Sequence, residues 1–154
     1  MITDIIAIDP GLASGVAHVR VDPVGPVWFP IVSTDELAPR ETGQWLRAAL
    51  RLVPDHDTTA VVIEKFTITA KTAQNSQAPW SLEVIGQSRW IVWEEISPER
   101  QLIVQSPADS MAAFKNDRLR ALGLWHRGGH GHAVEALRHV ALFAHRQKLL
   151  PRQA

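Results

Sequence analysis

Residues 5–8 read Ile-Ile-Ala-Ile and are cut off by Asp9-Pro10-Gly11. A short run without a polar side chain, closed by turn-forming residues, is the pattern of a strand buried on both faces. Such a strand needs packed material above and below it, which restricts the chain to a sheet covered by helices on both sides. A second strand fits Ser14 to Val19 after a tight connection, and a third fits Val27 to Ser33, between Gly25-Pro26 and Thr34-Asp35. Arg40 to Leu52 predicts a helix, with Trp45, Ala48, Ala49 and Leu52 at helical spacing and Pro54 beyond its end. Thr59 to Ile63 is β-rich and predicts a fourth strand that ends in Glu64.

Residues 67–79 are polar, without periodic apolar signal, and predict a loop closed by Pro79. Ser81 to Ile96 predicts a helix with Leu82, Ile85, Gly86, Trp90 and Trp93 along one stripe. Gln101 to Gln105 reads as a fifth strand, followed by a short helix after Pro107 and a last helix from Gly131 to Leu150. This order gives an α/β class: a five-stranded mixed sheet with three antiparallel strands, two parallel strands added through helical crossovers, and helices on both faces.

The 154 residues fit one domain, 1–154, with one substantial core. There are no cysteines, which excludes disulfides and thiolate metal sites. No uninterrupted apolar stretch reaches the ~18 residues of a membrane span. The N-terminus runs into a strand without a charged leader, so a cytoplasmic location is expected. Net charge is zero, which by itself speaks against a nucleic-acid partner. The distribution changes that argument. Residues 1–59 carry four basic and eight acidic side chains, residues 60–114 four and six, and residues 115–154 eight and two, with five of the seven histidines. A basic C-terminal quarter permits a polyanionic partner, although a solvated helix surface has the same composition.

Four residues stand where chemistry gathers in such a sheet. Asp9 ends the first strand and Glu64 the fourth; His132 and Glu135 share a face near the start of the last helix. Strand ends and helix starts meet at one rim of α/β sheets. Three carboxylates and an imidazole gathered there repel unless a cation neutralises them, and an oxygen-rich set with few nitrogens suits Mg²⁺ or Mn²⁺. Each also has an ordinary use. Asp9 before Pro-Gly is a turn residue, Glu64 an exposed strand end, and His132 and Glu135 a polar helix start that the helix dipole favours. Their conjunction singles them out.

The residues Ile6 to Ala17, Ile-Ala-Ile-Asp-Pro-Gly-Leu-Ala-Ser-Gly-Val-Ala, resemble the first motif of the RuvC family of Holliday junction resolvases. Val62-Ile63-Glu64-Lys65-Phe66 resembles the second motif, and Gly86-Gln87-Ser88-Arg89 is similar to the Gly-Gln-x-Arg of the following helix. His132-Ala133-Val134-Glu135-Ala136-Leu137 resembles the terminal His-Ala-x-Asp-Ala-Leu pattern, and all four fall in order over residues 4–145. The segment from Lys115-Asn116-Asp117-Arg118 to Gly131 is more similar to the RuvC-like proteins of bacteriophages than to the cellular enzyme. The resemblance implies an RNase H-like fold, a homodimer, and two-metal hydrolysis of DNA phosphodiesters near a branch point. It implies that Asp9, Glu64, His132 and Glu135 bind the metals and catalyse, with Asp9 bridging two ions roughly 4 Å apart. Gly11 and Gly15, lacking a Cβ, are expected to let a phosphate approach. Two positions depart from the pattern: Glu135 stands where Asp is usual, and His132 replaces a carboxylate of many members, which tilts preference toward Mn²⁺. His139, one turn beyond Glu135, is either a partner that orients a ligand or a packed or solvated histidine.

In the family an aromatic residue just after the second-motif glutamate enters the opened junction. Phe66 is the matching residue, two positions after Glu64 where three is more usual; a core position is the alternative. Lys71, Lys115, Arg118, Arg120 and Arg127 are candidate phosphate contacts, which as a group make affinity fall steeply with salt. The 81–96 helix corresponds to one that contributes to dimerisation, and a two-fold dimer places two active sites on opposing strands of a junction. The expected partner is branched DNA. A flap or general branched-DNA endonuclease of the same fold is the second reading, and a non-catalytic nucleic-acid-binding domain resembling YqgF-type proteins is the third. An actin-like ATPase needs two such domains and more residues.

Overall fold

β1 (Asp4–Asp9) is buried at every position, as its apolar run requires. It occupies the middle of a five-stranded sheet of order β3-β2-β1-β4-β5. On one side β2 (Ser14–Arg20) and β3 (Ile31–Leu37) form an antiparallel meander with it. On the other, β4 (Thr59–Glu64) and β5 (Ile103–Gln105) are added in parallel. The structure, a computed structural model, describes residues 1–69, 78–97, 102–126, 128 and 131–151. Parallel neighbours need crossovers, and α1 (Pro39–Leu52) and α2 (Ala78–Glu95) lie in those connections. Two short helices, α3 (Pro107–Ala113) and α4 (Asn116–Ala121), precede α5 (Gly131–Arg146). Among the described residues no helix is long and apolar enough to cross a membrane.

Alternate residues of the central strands feed two cores, because successive side chains of a strand point to opposite faces. Ile5, Ala7, Ala17, Val19 and Val62 pack with Leu137, Val140 and Phe143 of α5, and Phe114, Leu119 and Leu124 join them. Ile6, Ile8, Val16, Val61 and Ile63 pack with Leu46 and Leu50 of α1 and Val84 and Ile91 of α2. α5 is buried without a break from Ala136 to Ala144, so even its polar members Arg138 and His139 lie inside. Helices on both faces of a mixed sheet are what the β1 run demanded.

The outer elements depart from the sequence reading. β3 begins at Ile31, not Val27. Pro26 and Pro30 have no N–H to pair, and between them Phe29 is buried, Trp28 Nε1 donates to Leu149 O at 2.7 Å and Val27 is exposed. The strand itself is polar, Ser33-Thr34-Asp35-Glu36, as suits a sheet edge. α1 buries Thr42, Gly43, Leu46, Ala49 and Leu50, whereas Leu52 is exposed. α2 starts at Ala78 and turns Ser81, Val84, Ser88, Ile91 and Val92 inward, leaving Leu82, Trp90 and Trp93 exposed. Where α2 meets α1, a Cβ on Gly43 would lie 2.7 Å from Gln87 Oε1 and 3.5 Å from Ile91 Cδ1. α4 was not anticipated. α5 ends at Arg146 rather than Leu150, because Lys148 takes a left-handed conformation (φ 58°) and Leu149 N–H turns back to Ala144 O.

Candidate active site

β1 and β4 run in parallel with Ile8 beside Ile63, so their last residues, Asp9 and Glu64, finish at the same edge. On the other side Asp9 is paired with Gly15 of β2, which is paired with Glu36 of β3. The first turn of α5 lies over Gly15. A Cβ there would stand 1.8 Å from His132 O and 2.7 Å from Ala133 N, so the missing side chain is the room that the helix end occupies. Glu36 reaches over to accept the N–H groups of His132 (2.9 Å) and Ala133 (3.3 Å), donors that have no partner within the first turn of a helix. Its charge also favours the positive end of the helix dipole.

This packing brings imidazoles onto the strand-end carboxylates. His132 Nδ1 is 2.8 Å from Asp9 Oδ2, and His139 Nε2 is 2.9 Å from Glu64 Oε2. Asp9 is 7% exposed, and burial raises its pKa above the ordinary carboxylate value. The charge of Glu64 adds to that rise, while His132 and His139 oppose it. His132 is shifted up as well, first by its hydrogen bond to Asp9, then by the charges of Asp9, Glu36 and Glu135 acting against burial. The His132 shift reflects the carboxylates around it, whereas that of Asp9 comes first from burial.

Glu135 is on the same helix but turned elsewhere. Its Oε2 accepts from Arg138 Nε at 2.9 Å and its Oε1 from an Arg138 Nη at 3.2 Å. Arg138 is itself buried and donates onward to Phe114 O and to Asn116 Oδ1. Asp9, Glu64 and His132 therefore come to one edge, and Glu135 is paired beside it. In this arrangement no three His, Asp or Glu side chains among the described residues converge closely enough to hold a metal ion. The donor chemistry nevertheless fits a divalent cation: two carboxylates and an imidazole gathered at one edge of the sheet.

The expected DNA contacts are placed unevenly. Gly11 is buried, with Ser14 Oγ bonding both its N–H and its carbonyl, and a Cβ on it would meet Ala13 O at 3.2 Å. Neither glycine bares its backbone to a phosphate as the sequence reading had it; Gly15 faces the His132 main chain and Gly11 its own turn. Phe66 is half-buried just past β4 and belongs to neither core cluster. Lys115 is exposed at the border of a cleft of about 420 Å³ that Asn116, Arg120 and Arg138 also line. Arg118 lies over the Phe114 ring (4.6 Å), and Arg120 over Trp125 (4.0 Å) with an ion pair to Asp117. Lys71 and Arg127 fall outside the described residues.

Three residues of the site went unread in the sequence: Glu36, Arg138 and Gln105, whose side chain touches His139 Nδ1. Glu36 carried no signal because the strand that holds it was expected to end at Ser33. Gln105 was legible as the end of a strand beside Glu64, but nothing local to it pointed at His139.

No family model matches the chain, and no curated protein matches it. Among solved structures it is similar to Thermus thermophilus RuvC in complex with a Holliday junction substrate, with a TM-score of 0.70 and 16% identity over 96% of this chain and 97% of that one. It is also similar to Thermus thermophilus RuvC determined separately, with a TM-score of 0.65 and 18% identity over 95% and 97%. The mixed sheet of three antiparallel and two parallel strands, with helices on both faces, is the RNase H-like fold of RuvC.

Proposed function

We propose that this chain is a divalent-cation-dependent endonuclease that hydrolyses phosphodiester bonds in branched DNA, with the four-way junction as its preferred substrate. The observation that carries the reading is Asp9: a buried carboxylate at the end of the central strand, beside Glu64 and His132, on a fold shared with a protein solved with a Holliday junction substrate. Asp9, Glu64 and His132 would hold Mg²⁺ or Mn²⁺, and the imidazole tilts the choice toward Mn²⁺. Glu135 would join them on exchanging its Arg138 pairing. When bound, two cations supply activation of the attacking water and stabilisation of the leaving 3′ oxygen.

The protein's own contribution is placement. Burial fixes the Asp9 oxygens, and the Glu36 cap fixes the helix end that carries His132. Lys115 and Arg120, which line the cleft beside Arg138, would meet phosphates. Phe66 is the candidate to stack on an unpaired base at the branch, an interaction of about 1–3 kcal/mol. The exposed stripe of Leu82, Trp90 and Trp93 on α2 is apolar surface of the kind that a second copy covers, and supports a homodimer. Such an enzyme would serve recombination, repair or phage replication in the cytoplasm of a bacterium or phage-infected host.

Cleavage of labelled four-way, flap and linear DNA with Mg²⁺ or Mn²⁺ tests this, beside Asp9→Asn and Glu64→Gln. Symmetric paired nicks on the four-way junction, lost in both variants, are expected. Single cuts on flaps and forks would move the assignment to a flap endonuclease, and variants that cut like the parent would remove the site. Phe66→Ala is expected to keep weak cleavage but lose preference for branched over linear DNA.

A further inference from the structure

His139 is a histidine with no solvent exposure in the middle of a helix, and both ring nitrogens are engaged. Nε2 is 2.9 Å from Glu64 Oε2, and Nδ1 is 3.0 Å from the side-chain amide of Gln105, itself 2% exposed. A neutral imidazole carries one N–H, so the direction of these bonds is set by which end of the Gln105 amide faces the ring. With its nitrogen toward His139, Gln105 donates to Nδ1 (3.0 Å) and to His139 O (3.1 Å), and its oxygen accepts from Phe143 N–H (3.3 Å). The opposite orientation sets an oxygen against an acceptor. Nδ1 therefore accepts, Nε2 bears the hydrogen, and Nε2–H donates to Glu64 Oε2.

The three residues are held in line by backbone. Glu64 is paired with Gln105 across β4 and β5, and Lys65 N–H donates to Gln105 O at 2.7 Å. An apolar side chain would fill a position between core residues of α5 at lower cost than a buried imidazole. What the imidazole adds is a donor aimed at one oxygen of one carboxylate. The neighbouring Arg138, by contrast, engages both oxygens of Glu135.

We propose that His139, fixed in its Nε2–H tautomer by Gln105, is a positioning residue for Glu64: it occupies Oε2 and leaves Oε1 for the divalent cation. This rests on the reading of Glu64 as a cation ligand. Partners of this kind that orient ligands change metal affinity or activity by about 10- to 100-fold.

The test is calorimetric titration of the intact, DNA-free protein with Mn²⁺, joined to ¹⁵N-histidine NMR of the cation-free protein. His139→Leu is expected to weaken Mn²⁺ binding by about 10- to 100-fold. His139→Gln, which keeps an N–H donor near the Nε2 position, is expected to restore much of the loss. The NMR signal of His139 is expected to report Nε2–H in the parent and a mixture of tautomers in Gln105→Leu. Unchanged Mn²⁺ affinity in a folded His139→Leu, or an Nδ1–H tautomer in the parent, overturns the proposal. If His139→Leu does not fold, Gln105→Leu and the parent's tautomer decide the matter. Asp9→Asn and Glu64→Gln separate the two readings: if they too bind Mn²⁺ like the parent, the cation site itself is wrong, whatever His139 does.

Discussion

Replacing Gly15 by Ala puts a methyl group 1.8 Å from His132 O and 2.0 Å from its carbonyl carbon. Ordinary carbon–oxygen contacts close at about 3.3 Å, so the two stretches of main chain must part by roughly 1.5 Å. The neighbour is backbone in the first turn of α5, bonded to Glu36 and continuous with a helix buried from Ala136 to Ala144. It cannot swing aside like the tip of a side chain. Overpacking of this kind costs about 1–3 kcal/mol. For a chain of this size each kcal/mol lowers Tm by roughly 2–4 °C. His132 rides on the displaced turn, so its 2.8 Å contact with Asp9 opens as well. A group misplaced by about 1 Å loses on the order of 100-fold in rate.

Gly15→Ala is therefore expected to melt about 2–12 °C lower and to cut a four-way junction about 100-fold more slowly, with DNA affinity little changed. Gly11→Ala is the control. Its Cβ would approach nothing nearer than Ala13 O at 3.2 Å, which a shift of tenths of an ångström relieves, so activity should stay close to the parent's. Scanning calorimetry and single-turnover cleavage give the two readouts. A Gly15→Ala protein that melts and cuts like the parent refutes the close approach. One that melts lower yet cuts at full rate refutes the claim that this helix end places His132.

Three further outcomes follow from the same geometry. Burial holds a proton on Asp9 more tightly than on free aspartate, so ionisation of Asp9 weakens the fold; the penalty is absent below its ordinary value of 3.8 and complete above its raised value. Asp9→Asn is thus expected to raise the Tm of the cation-free protein at pH 7 while abolishing cleavage, the gain shrinking toward pH 3.8; a lower Tm at pH 7 contradicts the sign. Arg138→Met leaves the buried Phe114 carbonyl without its donor and should cost about 1–3 kcal/mol in urea unfolding. Adding Glu135→Gln should not restore it, since the carbonyl stays unpaired, and full recovery would show that the ion pair alone mattered. Trp90→Glu with Trp93→Glu should convert a dimer to monomers in sedimentation equilibrium, with subunit stability within about 0.5 kcal/mol because both rings are exposed. A parent already monomeric at working concentrations sinks the assignment of that face.

The central strands were legible because their condition is local. A strand buried on both faces must be apolar at consecutive positions, and Ile5 to Ile8 and Ala60 to Ile63 satisfy this within four residues each. Elsewhere the deciding fact sits far along the chain. Val27-Trp28-Phe29 has strand composition, but two flanking prolines and the Leu149 carbonyl turn it into a connection that buries Phe29 and leaves Val27 exposed. α2 has large apolar residues on one side and small ones on the other, and periodicity favoured the large side. The side that the fold buries carries Ser81, Val84, Ser88, Ile91 and Val92, and Gln87 and Ile91 lie against Gly43 of α1, a partner that the helix's own sequence does not name.

Asp9, Glu64 and His132 could be picked out because each stands at the end of an element, where side chains from different elements meet. The groups behind them could not, since Glu36 and Gln105 act on His132 and His139, which are distant from them in sequence. Gly15 shows the difference most clearly. Its sequence context says that a Cβ is not tolerated, but not what takes the space, and here that is the His132 backbone rather than a phosphate. The consequence reaches beyond one ligand. α5 carries His132, the Arg138 that holds Glu135, and the His139 that holds Glu64. The carboxylates Asp9 and Glu64, each on its own strand, are therefore both tied to this one helix by an imidazole, and a change in how α5 seats on Gly15 alters them together.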